Sequence, residues 1–96
     1  MPVSVHVPQV LRRYSAGREV VSVSPGPARG ATVRTALENL FVLHPDLRMR
    51  TLGPDGALWP YLALSLNAFE VPRPGMLDLP VCDGDVIELV GAAEGG

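Results

Sequence analysis

The sequence ends in DVIELVGAAEGG, residues 85 to 96, in which an apolar segment passes directly into a run of small residues. Residues 86 to 90 have the apolar, β-branched character of a strand, with Ile87 and Leu89 predicted to face inward. The residues that follow carry little side-chain bulk, and glycine can lie extended in a narrow channel without clashing with a facing backbone. The pattern predicts a folded domain over residues 1 to 90 and a flexible tail over residues 91 to 96.

The predicted tail is long enough to carry the terminal carboxylate into another protein. Six extended residues span about 20 Å, so the carboxylate of Gly96 is the candidate reactive group for an enzyme that forms phosphoanhydrides. Glycine makes up 10 of the 96 residues. A terminal Gly-Gly pair therefore arises by chance in about one chain in a hundred of this composition, against an average glycine usage of about 7%. The dipeptide alone does not establish function.

Length and composition favour one packed domain. A chain of 96 residues with 47% hydrophobic side chains is large enough for one core and too small for two. The net charge of -2 argues against a nucleic-acid partner, and no apolar run approaches the roughly 20 residues that a membrane span needs. The single cysteine, Cys82, cannot form an internal disulfide, and the N-terminus lacks a basic and apolar leader. These features predict a cytoplasmic protein.

Alternation of apolar and polar side chains predicts strands along much of the chain. The predicted strands are residues 3–7, 18–24, 61–66, 69–71 and 86–90. The side chains predicted to face the core are Val3, Val5, Val7, Val21, Val23, Leu62, Leu64, Leu66, Ile87 and Leu89. Leu77, Leu79 and Val81 alternate as well, but Pro80 limits their segment to an edge strand or a bulge.

One helix is predicted between Thr32 and His44. Thr32 stands at the N-cap position, and His44 precedes a proline, which disfavours helical backbone angles. The apolar positions at helical spacing are Val33, Ala36, Leu37, Leu40, Phe41 and Leu43. Residues 46–60 are predicted to be irregular, and those expected to dip into the core from a loop or a short 3₁₀ turn are Leu47, Met49, Leu52 and Leu58. Val10 and Leu11 are predicted to tuck under the connection between the first two strands.

The order of these elements predicts an α+β fold. Two strands, one helix and then further strands place a single helix against one side of a mixed sheet. This is the pattern of a ubiquitin-like β-grasp, in which the first and last strands are parallel neighbours in the middle of the sheet. The tail would then leave from a rigid base.

Side-chain chemistry outside the tail is sparse. His6 and His44 lie on different elements, and no group of residues has metal-ligand spacing, so no catalytic residue and no metal ligand is predicted. Cys82 is predicted to be a small buried hydrophobe whose neighbouring acid disfavours a thiolate, and Trp59 is predicted to anchor a loop. The acidic residues that a turn and a solvated strand face explain better than a metal site are Asp83, Asp85 and Glu88.

The chain resembles the small ubiquitin-like sulfur carriers, the family that includes the molybdopterin synthase small subunit and the thiamine-pathway carrier. The features that match are the opening strand and Pro8, the strand that ends at Asn67, the Asp83-Gly84-Asp85 turn and the terminal Gly95-Gly96. The long segment at residues 46–60 looks most like the carrier that serves a cysteine synthase in actinobacteria. One departure is Glu94, since some members have a proline near this point and a small residue in its place.

The resemblance implies a carrier that is not itself an enzyme and binds no cofactor. A ubiquitin-activating-type adenylyltransferase would use ATP and Mg²⁺ to adenylate Gly96. A sulfur donor would then displace AMP and leave a thiocarboxylate for a sulfur-accepting biosynthetic enzyme. Gly95, Glu94, Ala93 and Ala92 would thread into the partner. The pathway stays open among those that make cysteine, thiamine, molybdopterin, thiolated tRNA and secondary metabolites.

Two alternatives stay open at this point. The chain could be a non-catalytic β-grasp interaction module that binds other proteins through its sheet while its Gly-Gly end is idle. It could instead be a ubiquitin-like modifier that is conjugated to a target lysine through Gly96. Removal of Gly96 separates the first alternative from a carrier, because only a carrier needs that carboxylate.

Overall fold

Five strands and one long helix form the domain in a computed structural model that describes residues 2–91. The strands are β1 (Val3–His6), β2 (Val20–Val23), β3 (Leu62–Leu66), β4 (Phe69–Glu70) and β5 (Val86–Gly91). The helices are α1 (Val33–Leu43) and the single turn α2 (Arg48–Thr51), and 3₁₀ helices span Gln9–Tyr14, Pro45–Leu47 and Met76–Asp78. None of the helices within residues 2–91 is long and apolar enough to cross a membrane.

The sheet has the order β2-β1-β5-β3-β4. Its central strands β1 and β5 are parallel, with His6 opposite Glu88, and every other neighbouring pair is antiparallel. This is the arrangement predicted for a ubiquitin-like β-grasp, which is confirmed. Backbone hydrogen bonds hold β5 on both edges, so the strand that leads to the tail has a rigid base.

Helix α1 begins at a capping box. The Thr32 hydroxyl accepts a hydrogen bond from the Thr35 N–H at 3.3 Å, and the Thr35 hydroxyl accepts one from the Thr32 N–H at 2.9 Å. A hydroxyl cap of this kind stabilises a helix by about 1 kcal/mol. The predicted apolar face is buried except at Leu43, which is 56% exposed. Leu43 is the last residue of α1 and lies at the edge of the buried stripe, about 20° around the helix from Ala36.

The core fills the space between α1 and the inner face of the sheet. Period-two alternation placed the inward side chains of four strands correctly. The buried ones are Val3, Val5, Val7, Val21, Val23, Leu62, Leu64, Ile87 and Leu89. Leu66, which was also predicted to face inward, is half-buried and packs against the edge of this core.

Two predictions about the connecting segments are wrong. Residues 77–81 do not form a strand: they contain part of the 3₁₀ helix Met76–Asp78, and Pro80 takes part only in an isolated bridge with Thr32. Proline has no N–H to donate to a strand ladder, which accounts for the difference. In the connection after β1, Leu11 is buried as expected, but Val10 is 53% exposed on the outer side of its 3₁₀ helix.

The segment at residues 46–60 combines a correct prediction with a wrong one. Leu47, Leu52 and Leu58 are buried as predicted, but Met49 is 72% exposed. The predicted irregular segment contains a 3₁₀ helix and α2, and an antiparallel bridge joins Leu52 to Leu58. Met49 lies on the solvent side of α2, and the inward positions around it are taken by Leu47, Thr51 and Leu52.

Candidate functional site

Strand β5 brings the chain to one end of the sheet. It continues to Gly91, one residue past the predicted boundary of the domain, because Gly91 pairs with Leu62 of β3 and is buried. Gly91, the first residue of the tail predicted for residues 91–96, therefore belongs to β5. The predicted site residues Ala92, Ala93, Glu94, Gly95 and Gly96 lie outside the described residues.

The end of the sheet next to Gly91 collects residues from three segments. Because β1 is parallel to β5, the 3₁₀ helix Gln9–Tyr14 that follows β1 lies at this end. Because β3 is antiparallel to β5, the residues just before β3 lie here too. Helix α2 packs beside them. We call the surface formed by these segments the exit face, and its residues are Arg13, Tyr14, Met49, Arg50, Trp59 and Tyr61.

Contacts between side chains and backbone hold the exit face together. The Tyr61 hydroxyl donates to the carbonyl of Arg50, and the Trp59 indole N–H donates to the carbonyl of Met49 at 2.8 Å. The prediction that Trp59 anchors a loop is confirmed. The guanidinium carbon of Arg50 lies 4.7 Å from the centroid of the Tyr14 ring, within the range of a cation–π contact.

Arg73 fixes the segment that leads into β3. Its guanidinium has five N–H donors in a planar fork. They reach the backbone carbonyls of Leu58 and Trp59, each at 3.3 Å, of Pro60 at 3.1 Å, and of Leu62. Since Leu62 is the partner of Gly91, Arg73 positions the strand end beside which the tail leaves. Arg73 was not predicted as a site residue, because its sequence context, Pro72-Arg73-Pro74, indicates only a turn.

The exit face carries positive charge although the whole chain has a net charge of -2. Among residues 2–91, three arginines form ion pairs, each with a carboxylate on a different segment: Arg12–Glu19, Arg34–Asp78 and Arg48–Glu38. Arg13 and Arg50 have no carboxylate within ion-pair distance among residues 2–91, and both are exposed. Arg13 also lies over the Tyr14 ring, 5.5 Å from its centroid. Two cations thus flank one aromatic ring close to the origin of the tail.

Known proteins match this chain over its whole length. The sulfur carrier protein CysO of Mycobacterium tuberculosis is 28% identical over 98 residues, and the match covers 100% of both chains. Its crystal structure superimposes with a TM-score of 0.80 at 26% identity, covering 94% of this chain and 98% of CysO. No family model matches the chain.

Two further solved structures match over nearly the full length. A chain of the Amycolatopsis orientalis BexX/CysO complex has a TM-score of 0.81 and 28% identity, covering 98% of this chain and 99% of that one. SAMP1 from Haloferax volcanii, a small archaeal modifier protein, has a TM-score of 0.78 and 28% identity, and the match covers 100% of both chains.

The chain is similar from end to end to ubiquitin-like sulfur carriers. These relatives confirm the resemblance and the β-grasp fold predicted from the sequence. Sulfur carriers of this kind are small proteins that are not themselves catalysts, in agreement with the prediction. The similarity to SAMP1 also keeps the modifier alternative in view, because a sulfur carrier and a modifier share this fold.

The one thiol of the carrier lies at the opposite end of β5 from Gly91. Cys82 is exposed, so its predicted burial is wrong: it sits in the turn before β5, where the preceding Val81 takes the buried position. The negative charge of Asp85 raises the pKa of the Cys82 thiol, since the Asp85 carboxylate lies 3.7 Å from its sulfur. An acid does disfavour the thiolate, as predicted, but Asp85 is the main cause and the adjacent Asp83 contributes least to the raised pKa.

Asp85 itself organises the start of β5. Its carboxylate accepts hydrogen bonds from the Cys82 N–H at 2.9 Å and from the Asn67 side-chain amide at 3.1 Å, and these bonds lower the pKa of Asp85. The Asn67 side-chain oxygen accepts from the Val86 N–H at 2.8 Å. The acid therefore serves the turn, as its sequence context predicts, and the carrier places no groups of metal ligands within residues 2–91.

Proposed function

We propose that the carrier is activated at the carboxylate of Gly96 and that the resulting thiocarboxylate donates sulfur in a biosynthetic pathway. The observation that supports this proposal is the position of Gly91, which is the last residue of a central strand at one end of the sheet. Residues 92–96 follow it and end in Gly95-Gly96. Five extended residues span about 17 Å, which is enough to reach an enclosed active site.

The chemistry needs no side chain of the carrier. The Gly96 carboxylate attacks the α-phosphorus of ATP and releases pyrophosphate, which leaves an acyl adenylate. A hydrosulfide ion then attacks the acyl carbon and expels AMP, so sulfur replaces one oxygen of the carboxylate. The carrier contributes position, because it converts a bimolecular encounter into a reaction within a bound complex.

A thiocarboxylate suits sulfur delivery better than the side-chain thiol does. The thiol of an ordinary cysteine has a pKa of about 8.5 and is mostly protonated at neutral pH. The pKa of Cys82 is raised further by Asp85. A thiocarboxylate on Gly96 would be anionic under the same conditions and would therefore be the reactive sulfur of the molecule.

Two protein partners are part of this proposal. One is a ubiquitin-activating-type adenylyltransferase, which binds the ATP and Mg²⁺ that the carrier does not hold. The other is a biosynthetic enzyme that accepts the sulfur for cysteine, molybdopterin, thiamine or a similar product. The relative from A. orientalis was crystallised in a BexX/CysO complex, which supports a protein partner. We place the reaction in the cytoplasm, as the single cysteine suggests.

Pyrophosphate exchange tests the activation step. With the activating enzyme, the wild-type chain should support exchange between pyrophosphate and ATP, and the chain lacking Gly96 should support none. Gly96→Ala should slow exchange severely with an unchanged melting temperature, since position 96 lies beyond the strand that ends at Gly91. Arg29→Ala, at an exposed position at the opposite end of the sheet, is a control that keeps the terminal glycine and should retain exchange. Undiminished exchange by the chain lacking Gly96 would contradict the proposal.

The modifier alternative has its own signature. Conjugation would join the carbonyl carbon of Gly96 to the ε-nitrogen of a target lysine with loss of water. Peptide mapping of proteins that carry the chain would then find a Gly-Gly remnant on lysine. Such conjugates would support a modifier role that follows the same activation step.

A further inference from the structure

We propose that the exit face docks the activating enzyme, and that this enzyme presents acidic side chains and an apolar group to it. The inference rests on the proposed function and deepens it by naming the contact surface and the chemistry of the partner. Three observations support it: the reach of the tail, two arginines without an ion-pair partner among residues 2–91, and an exposed apolar groove beside Arg50.

The length of the tail brings the partner against the exit face. Residues 92–96 extend at most about 18 Å from Gly91. An enzyme that holds Gly96 in an enclosed site therefore has to contact the surface around Gly91. Tyr61 precedes the residue that pairs with Gly91, and its hydroxyl binds the backbone of Arg50. The exit face is thus part of the surface that such an enzyme covers.

The positive charge of the exit face is complementary to an acidic surface on a partner. Arg13 and Arg50 have no ion-pair partner among residues 2–91, and both guanidinium groups contact the Tyr14 ring. Complementary charges across an interface speed association and orient the two partners. A patch of Asp and Glu side chains on the enzyme would supply the missing partners.

The order of the proposed cycle decides which of its two enzymes is assigned to this surface. The activating enzyme meets the tail first, when the tail carries the side chain of Glu94 and the plain carboxylate of Gly96. We therefore assign the exit face to the activating enzyme, and the accepting enzyme is the alternative that the experiment has to exclude.

An apolar groove lies next to these arginines. It has a volume of about 660 Å³, and Met49 and Trp59 line it together with the buried Leu52. Met49 is 72% exposed, and an exposed methionine beside aromatic residues and arginine matches the composition of interface centres. The groove therefore fits an apolar side chain of the enzyme, surrounded by the acidic groups that meet Arg13 and Arg50.

Charge reversal at one exposed arginine tests the surface. In a pyrophosphate exchange assay with the full chain, Arg50→Glu should raise the KM for the carrier by about tenfold with kcat changed less than twofold, because docking weakens while Gly96 is unaltered. Arg29→Glu is the matched control: Arg29 is exposed and lies beyond the end of β2 at the opposite end of the sheet. Its KM should stay within twofold of that of the wild type.

Two further variants guard against a folding artefact. Arg13→Glu should repeat the effect of Arg50→Glu from a different element, and Met49→Ala should raise KM without any change of charge. Each variant is compared with the wild type by circular dichroism and melting temperature. The KM of the wild type should also rise with salt, and that of Arg50→Glu should rise less, since surface charge is screened.

The outcomes separate the docking surface from the proposed function. If the wild type supports no exchange at all, the proposed function fails. If the wild type supports exchange and Arg50→Glu has the same KM as Arg29→Glu, only the docking surface is overturned. If Arg50→Glu is activated normally but its thiocarboxylate form transfers sulfur poorly, the exit face belongs to the accepting enzyme and the assignment is wrong.

Discussion

Replacing Arg73 with lysine tests whether one guanidinium holds the end of the sheet from which the tail leaves. Arg73 donates to four backbone carbonyls between Leu58 and Leu62. Lysine keeps the charge but presents all its donors from one nitrogen, so it cannot span these carbonyls. Hydrogen bonds from a charged donor contribute about 1.5 to 3 kcal/mol. Because this guanidinium is partly in water, we expect Arg73→Lys to cost about 1 to 2 kcal/mol.

Thermal melting by circular dichroism measures this loss. A loss of 1 kcal/mol lowers the Tm of a domain of this size by about 4 to 8 °C, so Arg73→Lys should melt about 4 to 16 °C below the wild type. Hydrogen exchange should also quicken at the Leu62 N–H, which donates to the carbonyl of Trp59 at 3.0 Å.

Arg29→Lys is the matched control for this prediction. It makes the same replacement at an exposed arginine, and a surface change of this kind stays within about 0.5 kcal/mol. Equal melting temperatures for Arg73→Lys and Arg29→Lys would show that the bonds from Arg73 do not stabilise the fold. The argument that Arg73 positions the start of β3 would then be wrong.

Three further predictions concern β5 and the turn before it. Leu89→Ala should cost about 2 to 5 kcal/mol in urea unfolding because Leu89 is buried on a central strand, whereas Phe69→Ala at a side chain 79% exposed should cost far less; equal losses would contradict this. Hydrogen bonds lower the pKa of Asp85 in the folded state, so its contribution to stability is complete above the unfolded pKa of about 3.9 and is lost as the pH falls through the lower folded value. Asp85→Asn should weaken the dependence of stability on pH in this acidic range. An acid unfolding curve identical to that of the wild type would contradict this prediction. At pH 8, Cys82 should be alkylated more slowly in the wild type than in Asp85→Asn, because the charge of Asp85 raises the pKa of the thiol; equal rates would refute that cause.

Local patterns made much of the fold predictable. The inward positions of β5, Ile87 and Leu89, follow from alternation along one strand, and the start of α1 follows from Thr32 and the apolar spacing after it. Met49 was misplaced because the direction of a four-residue turn is set by distant groups. Its carbonyl accepts from the Trp59 indole, and that of Arg50 accepts from Tyr61.

The candidate site, like the fold, could be predicted from the sequence only in part. Gly96 could be selected from the sequence because its reactive group is the chain terminus, and this assignment stays a prediction. The exit face could not be selected, since its residues come from three separate stretches of the chain and no spacing rule joins them. Arg73 could not be selected either, because a side chain that bonds only to backbone carbonyls leaves no pattern among its partners.

The mass of the intact chain after incubation with ATP, a sulfide source and the activating enzyme tests the central claim most directly. The carrier should gain about 16 Da, and because a single oxidation adds nearly the same mass, an alkylating reagent should then locate the new sulfur at Gly96. Cys82→Ser removes the competing thiol and should leave this result unchanged. A C-terminus that remains a plain carboxylate under these conditions would contradict the proposed function.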